Sequence, residues 1–338
     1  MKRRSFLSTL GLAASAALFT APTVSAQDLE KVSLRLKWLP QAQFVGFYMA
    51  KAKGYYADEG MDLTINPGGP NLLTENLVAT GADTFGLSGG TDSVFAAIEK
   101  GLPITCFGVA HQETPFVFVS KADGPVQELA DFQDAAITTW FTGSNYVLFA
   151  MLAANGLDRA TMNIQPQQVS VTPFVDGQVD VVTATRYNEY YTLMTRVGED
   201  NLKRFVPEDY GVSFPRDTLI VGTAWAEEHP ELIEGFLRAS VKGWQDVFAD
   251  KTAAIDLIMK EAPTLDRAHQ EFMLDEIEKI MTAGAAAEKG LFTLDMDAIG
   301  TAHQIMVDYE VLEGPIDLEA AFVSRYVDAI PVEDRLVK

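Results

Sequence analysis

The 338-residue sequence holds one cysteine, Cys106. No intrachain disulfide can form, and no cysteine cluster is available for a zinc or iron–sulfur centre. Cys106 lies in the apolar run Ile104-Thr105-Cys106-Phe107-Gly108-Val109, which reads as a buried strand and makes the thiol inert core. Histidine is scarce as well. His111, His229, His269 and His303 are the four present, and no pair has metal-ligand spacing, so no metal and no cofactor are expected. Positive charge is in short supply: 26 Lys and Arg against 47 Asp and Glu give a formal charge of −21. That balance argues against nucleic acid and anionic membranes as partners. No apolar run after the first residues approaches the ~20 residues of a membrane span. No Gly-Lys-Ser/Thr follows the glycine-rich turns, which excludes a P-loop.

What is present begins with an export signal. Met1-Lys2-Arg3-Arg4-Ser5-Phe6-Leu7 opens an apolar run to about Ala21, and Val24-Ser25-Ala26 precedes Gln27. A basic start, a short apolar core and small residues at the cut predict a signal peptide over residues 1–26. Arg3-Arg4-x-Phe6-Leu7 also fits the twin-arginine pattern. Loss of Lys2, Arg3 and Arg4 takes the charge from −21 to −24. With no cysteine near the cut to carry a lipid, the expectation is an unanchored periplasmic protein.

Strand-length apolar runs alternate with helix-period segments, the pattern of an α/β fold. Strands are expected at Val32–Leu36, Asp83–Leu87, Ile104–Ala110 and Phe116–Ser120. A second unit begins near Ala122-Asp123-Gly124-Pro125, with strands at Ala135–Thr139, Ile164–Val169 and Asp180–Thr185. Leu219–Gly222 reads as a strand returning to the first unit, and the remainder is mostly helical. The units expected are residues 28–120 and 217–338 for the first, and 121–216 for the second. One internal echo joins them: Asp83, Ser88 and Asp92 have the same spacing as Asp180, Thr185 and Glu189. Each unit thus offers a hydroxyl at a strand end and a carboxylate near the next helix start.

Candidate ligand residues cluster at those strand ends, where open α/β sheets place ligands. Trp38 and Tyr187, in loops, have faces available to stack on a flat ring, and Trp140, Phe141 and Tyr146 lie close in sequence. Asp92 and Glu189 sit where the helix dipole favours negative charge, as ligand acceptors or as plain caps. An ionised carboxylate only accepts hydrogen bonds, so it suits a ligand with amine or ring N–H donors. Pro67-Gly68-Gly69-Pro70 and Ser88-Gly89-Gly90-Thr91 allow close backbone approach, through Gly69 and Gly89 in particular. Ser88 and Thr142 add hydroxyls, and His111 follows a strand toward the same end. Lys37 and Arg186 are the cations on hand should the ligand be an anion.

The run from Lys37 to Pro70, K-W-x-P-Q-x-Q-F-x-G-F-Y-x-A-K-x-K-G-Y-Y-x-x-E-G-x-D-L-x-I-x-P-G-G-P, resembles the opening of one family. It is that of the periplasmic binding proteins of the thiamine-pyrimidine-precursor group, whose relatives bind nitrate, alkylsulfonates, taurine and riboflavin-like heterocycles. The resemblance is strongest over residues 33–120, extends through about 245 and fades beyond. It implies a two-lobed type II periplasmic-binding-protein fold with a cleft between lobes, acting as the solute-binding part of an ABC importer. Its partners would be a permease and its ATPase, and a monomer is the default. It adds Gln41 and Phe44 of the opening motif to the site, and it implies that Asn188-Glu189 reads the edge of a small pyrimidine-like ring. A sulfonate, nitrate or riboflavin-like ligand is the alternative. Eukaryotic pyrimidine synthases share the opening but carry a cysteine-rich iron motif that one cysteine cannot supply. A non-enzyme is therefore expected, with a membrane-receptor sensor as a further alternative.

Overall fold

The computed structural model describes residues 29–141 and 143–338. The expected export signal and Thr142 lie outside the described residues. Ten strands occur within them: β1 (Glu30–Arg35), β2 (Met61–Asn66), β3 (Phe85–Gly90), β4 (Ile104–His111), β5 (Phe116–Lys121), β6 (Ala136–Thr139), β7 (Asn163–Pro166), β8 (Val181–Thr185), β9 (Leu202–Phe205) and β10 (Arg216–Gly222). They pair into two five-stranded sheets, ordered β2-β1-β3-β10-β4 and β7-β6-β8-β5-β9. The pattern repeats. In each sheet three parallel strands meet an antiparallel fourth, β10 or β5, which then pairs with the last. The chain passes between the sheets twice, through residues 112–115 and 206–215.

β3 and β4 are buried along their whole length, so both faces need cover. Helix Val45–Ala52 and helix Pro230–Ala249 supply part of it. They approach closely because Gly243 lies against the backbone of Gly46 and Ala50, where a side chain would collide. Phe236 stacks on Phe85 with ring centroids 4.3 Å apart and on Tyr56 at 5.3 Å, joining helix to sheet. Cys106 is fully buried, and burial pushes its thiol pKa up to about 12. Later helices start where acidic caps predict: Asp250, Asp266 and Asp295 accept from the backbone N–H groups of Ala253, His269 and Ala298. Among the described residues no helix is long and apolar enough to cross a membrane.

Four strands differ from the sequence expectation; β2, paired with β1 along its length, was not among the strands expected. β5, placed with the first unit by its position, belongs to the second sheet, paired with β8 from Phe116↔Thr185 and with β9. The short loop ending at Pro115 carries the chain across before β5 begins, rather than after it. β10 begins at Arg216, not Leu219, because Arg216 and Asp217 are buried in ion pairs although they read as polar loop. β9 was not expected at all. Lys203 and Arg204 break its apolar pattern, as charges do on an edge strand.

Candidate functional site

A cleft of about 650 Å³, counting the part open to solvent, lies where the carboxyl ends of β1, β3, β6 and β8 converge. The first sheet's side contributes Lys37, Trp38, Gln41 and Gln43 after β1, Leu72 to Glu75 at the start of helix Thr74–Ala79, Gly89 and Arg216. The second contributes Phe116, Trp140, Ser144, Thr185 and Tyr187 to Glu189. Trp38 and Trp140 meet across it, ring centroids 6.3 Å apart at 63°. Phe116 extends this aromatic wall, 6.2 Å from Trp140. Tyr187 is almost wholly buried and stands edge-on to His111 at 5.8 Å.

Beneath the aromatic wall lies a set of buried charges. Arg216 Nη1 donates to both oxygens of Asp92 at 2.7 Å, and its guanidinium covers the Phe116 ring at 4.4 Å. Lys37 donates to Asp217, which also accepts from Gln43 at 2.6 Å. Gln43 in turn accepts from Gln41 at 2.8 Å. His111 Nδ1 stands 3.3 Å from Asp217. Burial outweighs that neighbour and brings the His111 pKa down to about 4, so the ring is neutral near pH 7. Burial also lowers the Lys37 pKa, against the attraction of Asp217.

Two further carboxyl groups face the cleft with only uncharged partners. Glu189 accepts from the Thr185 N–H at 3.1 Å, from the Thr185 hydroxyl, and from Asn188 Nδ2 at 2.9 Å. Glu75 accepts from the Ser88 hydroxyl. Burial raises both pKa values, with those hydrogen bonds opposing it. Three polar atoms of lining residues are buried without a partner among the described residues: Trp140 Nε1, Arg216 Nε and Thr74 Oγ1. Buried polar atoms are rarely left so, and such orphans are what a bound polar group satisfies.

Of the residues singled out from sequence, Trp38, Gln41, Gly89, Tyr187, Asn188 and Glu189 line this cleft together. Five others do not. Phe44 is fully buried in the turn Ala42–Phe44, where Ala42 N–H is fixed by Gln270. Gly69 has open space beside it; the close approach belongs to Gly68, packed on the backbone of Leu36 to Trp38 and donating to Trp38 O at 2.9 Å. Ser88 and Asp92 lie one layer down, spent on Glu75 and Arg216. His111 is screened from the cleft behind Asp217 and Tyr187. Thr142 lies outside the described residues. Arg186 is held by Glu113 at 3.4 Å and Glu276 at 3.2 Å and does not line the cleft.

The spaced echo is real as geometry, since β3 and β8 both run into helices, but its partners differ: Thr185 serves Glu189, whereas Ser88 serves Glu75. The sequence did not point to Arg216, Asp217 or Glu75. Arg216 and Asp217 pair with Asp92 and Lys37, 124 and 180 positions away, and although Asp92, Lys37 and Ser88 were each singled out, none was read as one half of a pair. Gly86-Leu87-Ser88-Gly89-Gly90 also spells Gly-x-Ser-x-Gly at a strand-to-helix turn, a signal absent from the expectations above. Ser88 is nevertheless fully buried, and β10 separates its strand from β4, which carries His111. A nucleophile needs a base within hydrogen-bond reach, and Ser88 reaches Glu75 instead.

Known proteins resemble this chain along most of its length. The riboflavin-binding protein RibY of Chloroflexus aurantiacus is 29% identical over 322 residues, 93% of this chain and 91% of that one. The formylaminopyrimidine-binding protein of Halalkalibacterium halodurans is 27% identical over 280 residues, 78% and 82% of the two chains. In structure, the periplasmic aliphatic sulphonate binding protein SsuA of Escherichia coli superposes with a TM-score of 0.62 at 18% identity, over 86% of this chain and 91% of that one. The fold is thus that of periplasmic binding proteins, with a ligand-sized cleft where such a fold provides one. Residues 41–254, well over half the chain, match the family model described as NMT1/THI5 like, and the protein belongs to that family.

Proposed function

We propose that the protein is the periplasmic solute-binding component of an ABC importer and captures an uncharged nitrogen heterocycle of the pyrimidine type. One lobe would comprise residues 29–111 and 216–338, the other 116–205, closing on the ligand about the two crossing segments. Trp38 and Tyr187 would flank the ring, with Trp140 at its edge, and Glu189 would read its amino group. Glu189 retains capacity for this: three of its roughly four lone-pair sites are occupied, leaving one at Oε1.

The observation that carries the reading is charge. Both cations that reach the cleft, Lys37 and Arg216, are engaged by buried carboxyl groups, Asp217 and Asp92. Glu75 and Glu189 stand in the same walls with no cation of their own. A sulfonate or nitrate would lose its hydration facing carboxyl groups and no free cation, which is strongly unfavourable in a buried site. A neutral ring with both donors and acceptors matches the two glutamates and the three unpaired polar atoms. The two relatives named for a flavin and a pyrimidine agree with this ligand class.

Calorimetric titration of the ligand-free protein tests the reading. An aminopyrimidine should bind and an alkylsulfonate should not. Glu189→Gln should weaken aminopyrimidine binding at least about tenfold, some 1.4 kcal/mol, while Arg186→Ala leaves it unchanged. Binding of the sulfonate and not of the aminopyrimidine would establish the anion reading in its place.

A further inference from the structure

Asp217 has a backbone that its strand does not require. Its φ is +54°, in the left-handed region, although it lies within β10. Residues other than glycine rarely adopt that region, and aspartate and asparagine are enriched among those that do. The ladders to β3 and β4 pair Arg216 and Thr218 and pass over Asp217 between them. In a regular strand consecutive side chains point to opposite faces. Here Arg216 lines the cleft, and Asp217 reaches two other residues that line it, Lys37 and Gln43. A left-handed residue at this place lets two consecutive side chains serve one end of the sheet. Strain kept inside a buried strand points to a use beyond packing.

That use is visible in what Asp217 holds. It does not itself line the cleft. Its carboxylate accepts from Lys37 and from Gln43 Nε2 at 2.6 Å, and Gln43 accepts from Gln41. Three lining residues of one wall are thus oriented from a single buried group. Of the two cations in the walls, Lys37 is the one a ligand meets. Its side chain is 17% exposed, whereas that of Arg216, paired with Asp92, is 1% exposed. Glu189 lies within range of the Lys37 charge, which opposes the effect of burial on its carboxyl group. Freed from Asp217, the ammonium would compete with the ligand for Glu189.

Resting on the ring-binding function proposed above, we infer that Asp217 is a positioning residue that decides the ligand's charge class. It keeps the Lys37 ammonium out of the ligand space and away from Glu189. The cleft then accepts an uncharged, donor-bearing ring and rejects an anion. Without Asp217 the same wall presents an unpaired cation, which is what an anion needs to leave water. Specificity for charge is set by a residue outside the cleft lining.

The test is a pair of substitutions read by calorimetry on the ligand-free protein, with 4-amino-5-hydroxymethyl-2-methylpyrimidine and ethanesulfonate as probes. Asp217→Asn keeps the tolerance for a left-handed backbone and an oxygen for Gln43, and removes the charge. It should lower aminopyrimidine affinity at least about tenfold, because it leaves Lys37 without its counter-ion. The same variant should begin to bind ethanesulfonate. Adding Lys37→Met removes the stranded cation. The double variant should regain aminopyrimidine affinity to within about threefold of the parent and lose the sulfonate. A merely structural role for Asp217 gives no such recovery when a second lining residue is removed. The double variant strands no charge, so it remains informative if Asp217→Asn does not fold. Aminopyrimidine binding near that of the parent then supports the role of Asp217, and its loss overturns it. Unchanged aminopyrimidine affinity in Asp217→Asn, or a loss that Lys37→Met does not recover, also overturns that role and leaves the ring reading standing. A parent protein that binds no aminopyrimidine overturns the ring reading itself, and the role of Asp217 with it.

Discussion

Arg216 holds together more of the cleft than any other single side chain. It binds both oxygens of Asp92, covers Phe116, and keeps Nε free beneath the ligand space. Both members of the pair are at most 1% exposed, so desolvation makes the pair costly to break and of little net value when intact. Arg216→Met should therefore destabilise the protein by about 3–5 kcal/mol, because it strands Asp92. Adding Asp92→Leu should restore most of that loss, which paired urea melts of the single and double variants would read. A double variant no better than Arg216→Met would mean that Arg216 acts through packing on Phe116 alone. Neither partner was identifiable as a pair from sequence: 124 positions separate them, and each taken locally reads as a helix cap or a loop charge. Trp38 and Asn188-Glu189 were legible for the opposite reason. They sit just past strand ends, and strand-to-loop transitions are visible in local patterning. Phe44 carries the converse lesson: it belongs to the opening motif that carries the family resemblance, yet it faces the core, since motif membership does not say which way a side chain points.

At the scale of elements, the mostly helical character of the chain after β10 was legible, and Pro230 and the capping aspartates mark where the longer helices begin. β5 and β9 were harder. Which sheet a strand joins is decided by pairing with distant strands, and nothing within Phe116–Lys121 says whether the crossing precedes or follows it. The helix pair Val45–Ala52 and Pro230–Ala249 shows how a small residue sets an element's position. Gly243 allows the backbones to touch at Gly46 and Ala50, and Trp244 packs over Gly46 and Phe47. Gly243→Val should lower stability by about 1–3 kcal/mol or more through overpacking. Equilibrium unfolding in urea reads this as a shift of midpoint at constant slope. Ligand affinity in the surviving native state should be unchanged, since neither Gly243 nor the residues it packs on line the cleft.

For the whole molecule, the repeated sheet order and the two crossings are the features that permit relative motion. The halves also touch directly, at Arg186 and Glu113 beside the first crossing and at Arg159 and Glu310 away from it. Tyr191 stacks on His269 with centroids 4.6 Å apart and on Phe272 at 4.8 Å, and Arg186 reaches Glu276. Trp38 and Trp140 meet on the opposite, ligand side. A ligand held between Trp38 and Tyr187, as proposed above, would stabilise closure by its differential affinity for the closed form. Small-angle X-ray scattering should accordingly show a smaller radius of gyration with saturating ligand than without. Identical profiles in the presence of demonstrated binding would mean a preformed, rigid cleft. The two-unit alternation was legible in the sequence, and the cleft followed from it; the pairing of charges inside was not, because it depends on contacts that only the folded chain brings together.

The buried thiol described first has a practical consequence. Cys106 is the only cysteine in the sequence, has no exposure to solvent, and is held in its unreactive protonated form by a pKa near 12. The unmodified protein is therefore silent toward thiol-directed dyes. A cysteine introduced at Phe141, half exposed and next in sequence to Trp140 of the cleft wall, becomes a unique labelling position whose dye should change surroundings as the cleft fills. The fold thus offers a ready scaffold for a reagentless fluorescent sensor of its own ligand.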